Sequence, residues 1–318
     1  MVAKLAERLR TGDPRALARA ISLVEDDAPA TQALLSACFP HTGKALRIGI
    51  TGAPGAGKST LVDQLARVFR EQQHRVGILA VDPTSPFSGG AILGDRIRME
   101  RHHADEGVYT RSMATRGAMG GLARAATDAA MLIEASGRDR ILIETVGVGQ
   151  DEIDIVRLAD ITVVVLVPGM GDDVQSIKAG ILEIADIFVV NKCDREGADR
   201  VEKELKAMQS FASSHGSWIP PVVRTVASTG QGMDGLLAAI GDFSVWLAND
   251  DHLQARREEQ WRQRLTEMVR AELLRGLRAH ALKPEELREH ARRITARQED
   301  PFVTAAQMVK AITGGMRG

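Results

Sequence analysis

Cysteine is nearly absent from this chain. Cys38 and Cys193 are the only two among 318 residues, far apart and each without a second thiol nearby. That argues against a disulfide scaffold and a Cys-rich metal centre, and for a reducing compartment. No apolar run approaches the roughly 18 residues needed to span a bilayer. The opening Met-Val-Ala-Lys-Leu-Ala-Glu-Arg also lacks an apolar signal core, so a cytoplasmic protein without a membrane partner is expected. Neither charge dominates: 41 Lys/Arg against 42 Asp/Glu leave a net charge of −1. No bulk field therefore favours nucleic acid. What is present, 44% hydrophobic and 26% charged residues, is an ordinary globular balance.

Residues 1–44 read as a helical N-terminal extension. Asp13-Pro14 is an N-cap followed by an N1 proline, and Leu17, Ala20, Ile21 and Val24 recur at helical spacing. The pattern then changes to short β-branched runs at 46–50, 76–81, 141–143, 161–167, 187–190 and 222–225. Their consecutive apolar positions suit parallel strands covered on both faces. Helical stripes such as Leu61, Leu65, Val68 and Phe69 alternate with them. The fold class expected over 45–247 is therefore α/β, a doubly wound and mostly parallel sheet. Residues 248–318 carry no strand signal, and from 251 onward hold 14 Lys/Arg against 10 Asp/Glu. They read as a helical arm whose apolar positions, Leu273 among them, predict a homodimer.

Gly52-Ala53-Pro54-Gly55-Ala56-Gly57-Lys58-Ser59-Thr60 contains the P-loop pattern G-x-x-x-x-G-K-[ST] between a strand and a helix, the context the pattern requires. Its glycines let backbone N–H groups converge on phosphate oxygens, and the helix N-terminus adds partial positive charge. Lys58 is placed to reach the β- and γ-phosphates, and the Ser59 hydroxyl to ligate magnesium. Asn191-Lys192-Cys193-Asp194 follows the strand at 187–190. The Asp194 carboxylate can accept both the N1–H and the exocyclic amine of guanine. Adenine presents an acceptor there and would leave a buried charge unpaired. The Lys192 stem can cover the base. The pair of motifs predicts GTP/GDP, not ATP.

Between them lies Glu144-Thr145-Val146-Gly147, with Glu144 where GTPases usually carry aspartate and Gly147 placed to sense the γ-phosphate. The next residue, Val148, stands where a glutamine often orients water, which predicts slow unaided hydrolysis; Gln150 lies two residues later. The segment from Asp82 to Arg98 is rich in Gly, Pro and hydroxyls and includes Asp95, as a metal-sensing loop should be. His102 and His103 read as surface residues. Pro168 opens a loop through Asp172, Asp173 and Lys178, charges suited to exchange with a partner.

Gly49–Thr60, Val81-Asp-Pro-Thr-Ser-Pro with Gly89-Gly and Gly94–Met99, Glu144–Gln150 and Pro168–Gly180 together resemble the MeaB/ArgK/MMAA-type P-loop G proteins over nearly the whole chain. The resemblance implies a GTPase chaperone of an adenosylcobalamin-dependent acyl-CoA mutase, with GTP hydrolysis gating cofactor delivery and removal of damaged cofactor. It implies a magnesium set of Ser59, Asp82 and Asp95, with Glu144 in the metal and γ-phosphate network. Arg98 and Lys178 fall in switch segments, and dimerisation is through C-terminal helices. Val226-Ala227 stands where a Ser-Ala-type guanine loop is common, a departure of small weight for a loop that binds through its backbone. Two other functions compete. A P-loop kinase of a small amine or amino acid should lack the guanine motif. A nickel-insertion GTPase needs a Cys/His site, for which only Cys38-Phe-Pro-His41 offers candidates.

Overall fold

Asp13 begins the second of three helices that precede the first strand: α1 (Val2–Arg10), α2 (Pro14–Glu25) and α3 (Thr31–Cys38). Its carboxylate accepts the Arg15 and Ala16 amides at 2.9 and 3.1 Å, and Pro14 fills the first helical position, where no amide is needed. The Arg8 hydrogen bond to the same group holds its carboxyl below the usual range. The computed structural model describes residues 2–82, 105–114, 121–145, 155–169, 183–211, 218–249, 251–280 and 284–315. They fall into two compact units, Met1–Arg257 and Glu258–Gly318.

The first unit is built on seven strands: β1 (Leu46–Gly52), β2 (Val76–Asp82), β3 (Val108–Ala114), β4 (Arg140–Thr145), β5 (Ile161–Leu166), β6 (Ile187–Asn191) and β7 (Val222–Thr225). Their order is β3-β2-β4-β1-β5-β6-β7, and every pairing is parallel. Helices α4 (Lys58–Glu71) and α7 (Met233–Ala248) cover one face. There Leu61, Leu65 and Phe243 pack on Ile48, Ile50, Val163 and Val165. On the other face, α1–α3 and α5 (Gly121–Ala135) bury Leu9, Leu17, Ile21 and Ile133 against Leu79, Ile141 and Ile143. Helix α6 (Ala198–Phe211) covers Val164, Leu166 and Val190. Successive strand residues thus enter opposite cores, which is why the strands read as continuous apolar runs.

From β1 the chain steps toward β2, and from β5 toward β6. Between their carboxyl ends the winding reverses, the place where open α/β sheets bind ligands.

The amino ends of the strands are tied by charge. Asp160, fully buried just before β5, accepts Arg257 Nε and one terminal nitrogen, both at 2.9 Å, and the Arg47 amide at 2.9 Å. Arg257 also donates to the carbonyls of Gly43 and Ala45 at 2.6 and 2.9 Å. Asp186, just before β6, accepts both terminal nitrogens of Arg256 at 3.0 and 2.8 Å and the Thr162 amide at 2.7 Å. Both arginines lie in the first turns of α8 (His252–His280). Trp246 stacks on His252 at 4.0 Å between ring centres.

In the second unit, α9 (Pro284–Thr295) is followed by α10 (Pro301–Gly315). Asp300 caps α10 by accepting the Phe302 and Val303 amides, and Glu299 receives Arg293 and pairs with His290. Leu265, Met268, Val269, Leu273, Leu287, Phe302, Val303 and Val309 of this unit are exposed, Phe302 by 83%. No helix among the described residues is long and apolar enough to cross a membrane.

Candidate functional site

The loop leaving β1 shows why its glycines are required. Gly52 has φ 137°, and a Cβ there would lie 2.1 Å from the Val165 carbonyl oxygen of β5. Gly57 has φ 88°, and a Cβ would meet Asn191 Nδ2 at 2.5 Å. Both strain and space therefore exclude side chains. Lys58 opens α4 and is only 5% exposed; its ammonium donates to the carbonyls of Gly52 and Ala53 at 2.7 and 2.9 Å. Pro54 and Gly55 are exposed, Ala56 is buried, and Ala53 and Thr60 are half-buried. The first turn of α4 begins directly after this loop, and amides at a helix N-terminus are the groups with which anion sites are built.

The carboxyl end of β4 grips the same loop. Ser59 Oγ donates to Glu144 Oε1 at 2.5 Å, and Thr145 Oγ1 donates to Thr51 Oγ1 at 2.8 Å. Glu144 is 2% exposed, Thr145 3% and Thr51 fully buried. A hydroxyl and a carboxylate sharing one point are oxygen donors of the kind a hard divalent cation takes, so Ser59 and Glu144 fit magnesium. Asp82 is the last residue of β2, paired in register with Ala114. Asp95, Arg98, Gly147 and Lys178 lie outside the described residues, as do Val148, Gln150, His102, His103, Asp172 and Asp173.

Asn191, the last residue of β6 and 2% exposed, joins the loops of three strands. Its Nδ2 donates to the Ala56 carbonyl at 2.8 Å. Its Oδ1 accepts Thr225 Oγ1 at 3.1 Å and the Ala227 amide at 3.0 Å. Lys192 follows in the left-handed region at φ 56° and sends Nζ to the Gly55 carbonyl at 2.7 Å. Asp194 is exposed two residues on. Val226 and Ala227 are buried, and the Val226 carbonyl accepts the amides of Thr229 and Gly230 to close a turn. The phosphate-type loop, Asn191–Asp194 and Val226-Ala227 are thus one connected assembly.

Sequence reasoning missed three hydroxyls of this assembly, those of Thr51, Thr145 and Thr225. Thr145 lay inside a motif that was read and Thr51 inside the longer stretch Gly49–Thr60, but neither hydroxyl was singled out. Cys38 and His41 sit elsewhere: Cys38 is fully buried, burial pushes its thiol up, and the His41 ring contacts Arg10 at 2.7 Å.

Comparison with known proteins agrees with this geometry. A family profile described as "Methylmalonyl Co-A mutase-associated GTPase MeaB" matches residues 17–281. A Pyrococcus abyssi protein that carries a GTPase name is 46% identical over 318 residues, covering 99% of this chain and 98% of its own. The mitochondrial methylmalonic aciduria type A homolog of Mus musculus is 33% identical, over 98% of this chain and 79% of its own. A solved structure described as an LAO/AO transport system kinase superposes with a TM-score of 0.72 at 29% identity, covering 98% of this chain and 97% of that one. With a parallel α/β sheet, a phosphate-type loop joined to a guanine-type motif, and a family match over most of its length, the chain belongs to the MeaB family of methylmalonyl-CoA mutase-associated GTPases.

Proposed function

We propose that this GTPase uses slow GTP hydrolysis to serve an adenosylcobalamin-dependent acyl-CoA mutase, gating cofactor delivery and protecting or reactivating the mutase. The observation that carries the reading is the buried Asn191 side chain. It ties the phosphate-type loop to the Val226-Ala227 loop, an arrangement that supports a base read by Asp194 close to phosphates held by Gly52–Thr60. On this reading Lys58 exchanges two neutral carbonyl partners for phosphate oxygens, a stronger charge-assisted pairing. Ser59, Asp82, Asp95 and Glu144 hold magnesium, which supplies charge neutralisation across the β- and γ-phosphate oxygens. Gly147 senses the γ-phosphate, and Arg98 and Lys178 act from switch segments.

Val148 orients no water, so turnover waits on the mutase, and the 168–178 loop is the route by which docking speeds it. Coupling of this kind requires partner affinity to differ between nucleotide states, typically by about 1–3 kcal/mol. The 248–318 arm is the dimerisation element, a reading supported by its exposed apolar side chains. The protein works in the cytoplasm.

The test is phosphate release from GTP and ATP, alone and with purified mutase, for wild type and Asp194→Asn. Wild type should hydrolyse GTP slowly, ignore ATP and be stimulated by mutase, while Asp194→Asn should favour xanthosine nucleotides. An Asp194→Asn protein that keeps the wild-type preference for GTP sinks the base assignment, and a mutase without effect on turnover sinks the partner. A second reading, phosphoryl transfer to a small amine, draws on the name of the structural relative; phosphate appearing on arginine rather than in solution would favour it.

A further inference from the structure

Consecutive residues of β4 hold the phosphate-type loop at both of its roots. Glu144 meets Ser59, where the loop enters α4, and Thr145 meets Thr51, where the loop leaves β1. Strand register sets this up. Ile50 pairs with Glu144 along β1 and β4, which brings the next residues, Thr51 and Thr145, side by side at the carboxyl end. Both threonines are buried, so their hydroxyls have little water to turn to. Packing does not ask for them: two valines would fill nearly the same volume with no polar group to satisfy, an exchange that can be close to neutral. The hydrogen bond supplies something packing does not, a fixed height of the β4 end relative to the root of the loop. Because Glu144 is the neighbour of Thr145, that height also sets where the Glu144 carboxylate stands against Ser59.

We infer that Thr51 and Thr145 form a positioning pair for the Ser59–Glu144 oxygens. The pair would control how tightly a divalent cation is held with a nucleotide, without touching either. The inference rests on the proposed assignment of that oxygen pair to magnesium. It concerns positioning, so it predicts a defect confined to metal-dependent behaviour.

The experiment follows release of a fluorescent GDP analogue from the full chain, once with magnesium and once with EDTA. Thr145→Val should release the analogue about tenfold faster than wild type in magnesium, the scale on which outer-shell partners act on metal affinity, and at the wild-type rate in EDTA. Thr145→Ser, which keeps the donor, should restore the magnesium effect. Thr51→Val, which removes the acceptor, should match Thr145→Val, and the double variant should be no worse than either single one, because one bond is lost once. Wild-type magnesium dependence in Thr145→Val overturns the inference. So does an equal rise of both release rates, which marks general loosening of the loop. Should the valine variants fail to fold, Thr145→Ala against Thr145→Ser carries the same comparison. A wild-type protein that binds the analogue but shows no magnesium effect refutes the metal assignment itself, an outcome separate from a normal wild type with an unaffected variant.

Discussion

The two ends of one parallel sheet are held by different chemistry. At the amino ends, Asp160 and Asp186 each meet an arginine through two bonds and a strand amide through a third, while the Glu134 carboxylate takes the Lys44 and Ala45 amides. Charge there is matched permanently. At the carboxyl ends, the contacts among the described residues include threonine hydroxyls, the Asn191 amide, a serine on Glu144, and two lysines that donate to loop carbonyls. The Lys58 ammonium donates to the Gly52 and Ala53 carbonyls there, bonds that charge-assisted pairing with phosphate oxygens would exceed, whereas Arg257 is bound to a carboxylate through two hydrogen bonds. Among the described residues, the doubly hydrogen-bonded Arg–Asp pairs of the sheet lie at its amino ends, away from the loop that takes phosphate on the proposed reading.

If that division is real, the ends should fail differently. The largest effect is expected at the amino end. Arg257→Ala takes from the buried Asp160 carboxylate its hydrogen-bonded cation, leaving Arg47 Nε at 3.6 Å, and should cost about 3 kcal/mol, the low end for breaking a buried pair. Urea unfolding should show a lower midpoint, while nucleotide affinity of the folded protein stays within about twofold of wild type. A parallel loss of affinity would mean that the ends are not independent.

Next comes Lys58→Ala, the mirror case. Guanine nucleotide affinity should fall on the order of 100-fold, as removal of a buried charged partner does, with little change in the urea midpoint. Titration with a fluorescent nucleotide and an unfolding curve on the same preparation decide it.

Asn191→Ala sharpens the boundary between the two behaviours. Its amide satisfies the Ala56 carbonyl, the Thr225 hydroxyl and the Ala227 amide, so truncation should lower stability by about 1–3 kcal/mol and also weaken nucleotide binding. An effect on binding alone would show that the three loops keep their places without it.

The smallest expected effect is on acid stability. Burial pushes the Asp160 carboxyl up, but the Arg257 hydrogen bonds and the Arg47 charge outweigh it, and the net shift is downward. A carboxyl held lower in the folded state than in the unfolded one contributes stability above its unfolded value of about 3.9 and loses it as the pH falls below. The urea midpoint of wild type should therefore drop as the pH passes below about 4, and Arg257→Ala should show a shallower drop. An unchanged slope in the variant would remove Asp160 from the acid response.

Six of the seven strands were legible: β1, β2, β4, β5 and β6 lie inside the sheet and are mostly buried, and the edge strand β7 is marked by the β-branched Val222, Val223 and Thr225. β3 was not. It is an edge strand in which Thr110, Arg111 and Ser112 interrupt the apolar residues and, over 108–113, Tyr109 and Met113 are the buried ones. Its Arg111 instead reaches Ser22 and Glu25 of α2. The phosphate-type loop and Asn191–Asp194 were legible because each is a local chemical requirement on a few adjacent residues. The hydroxyl pair Thr51–Thr145 and the Asn191 junction depend on which strands lie side by side, and periodicity carries no strand order. The two arginines of α8 were opaque for a similar reason: nothing local sets them apart in a charged helix, and their aspartates are 70 and 97 residues away. They also explain why the first compact unit runs to Arg257, past the end of α7 at Ala248.

That sequence distance has a consequence for biosynthesis. Arg257 reaches back 97 residues to Asp160 and 214 to Gly43, and it is made after all seven strands. While a nascent chain still lacks it, Asp160 has every neighbour except its main cation, and docking β5 beside β1 means burying a carboxylate that is only partly compensated. The unit cannot close fully from its N-terminus as it leaves the ribosome; its last bonds wait for the first turns of α8. A messenger truncated within α7 would thus yield a sheet with every strand present and one buried acid still short of its counter-ion, a species for quality control to remove rather than a smaller working GTPase.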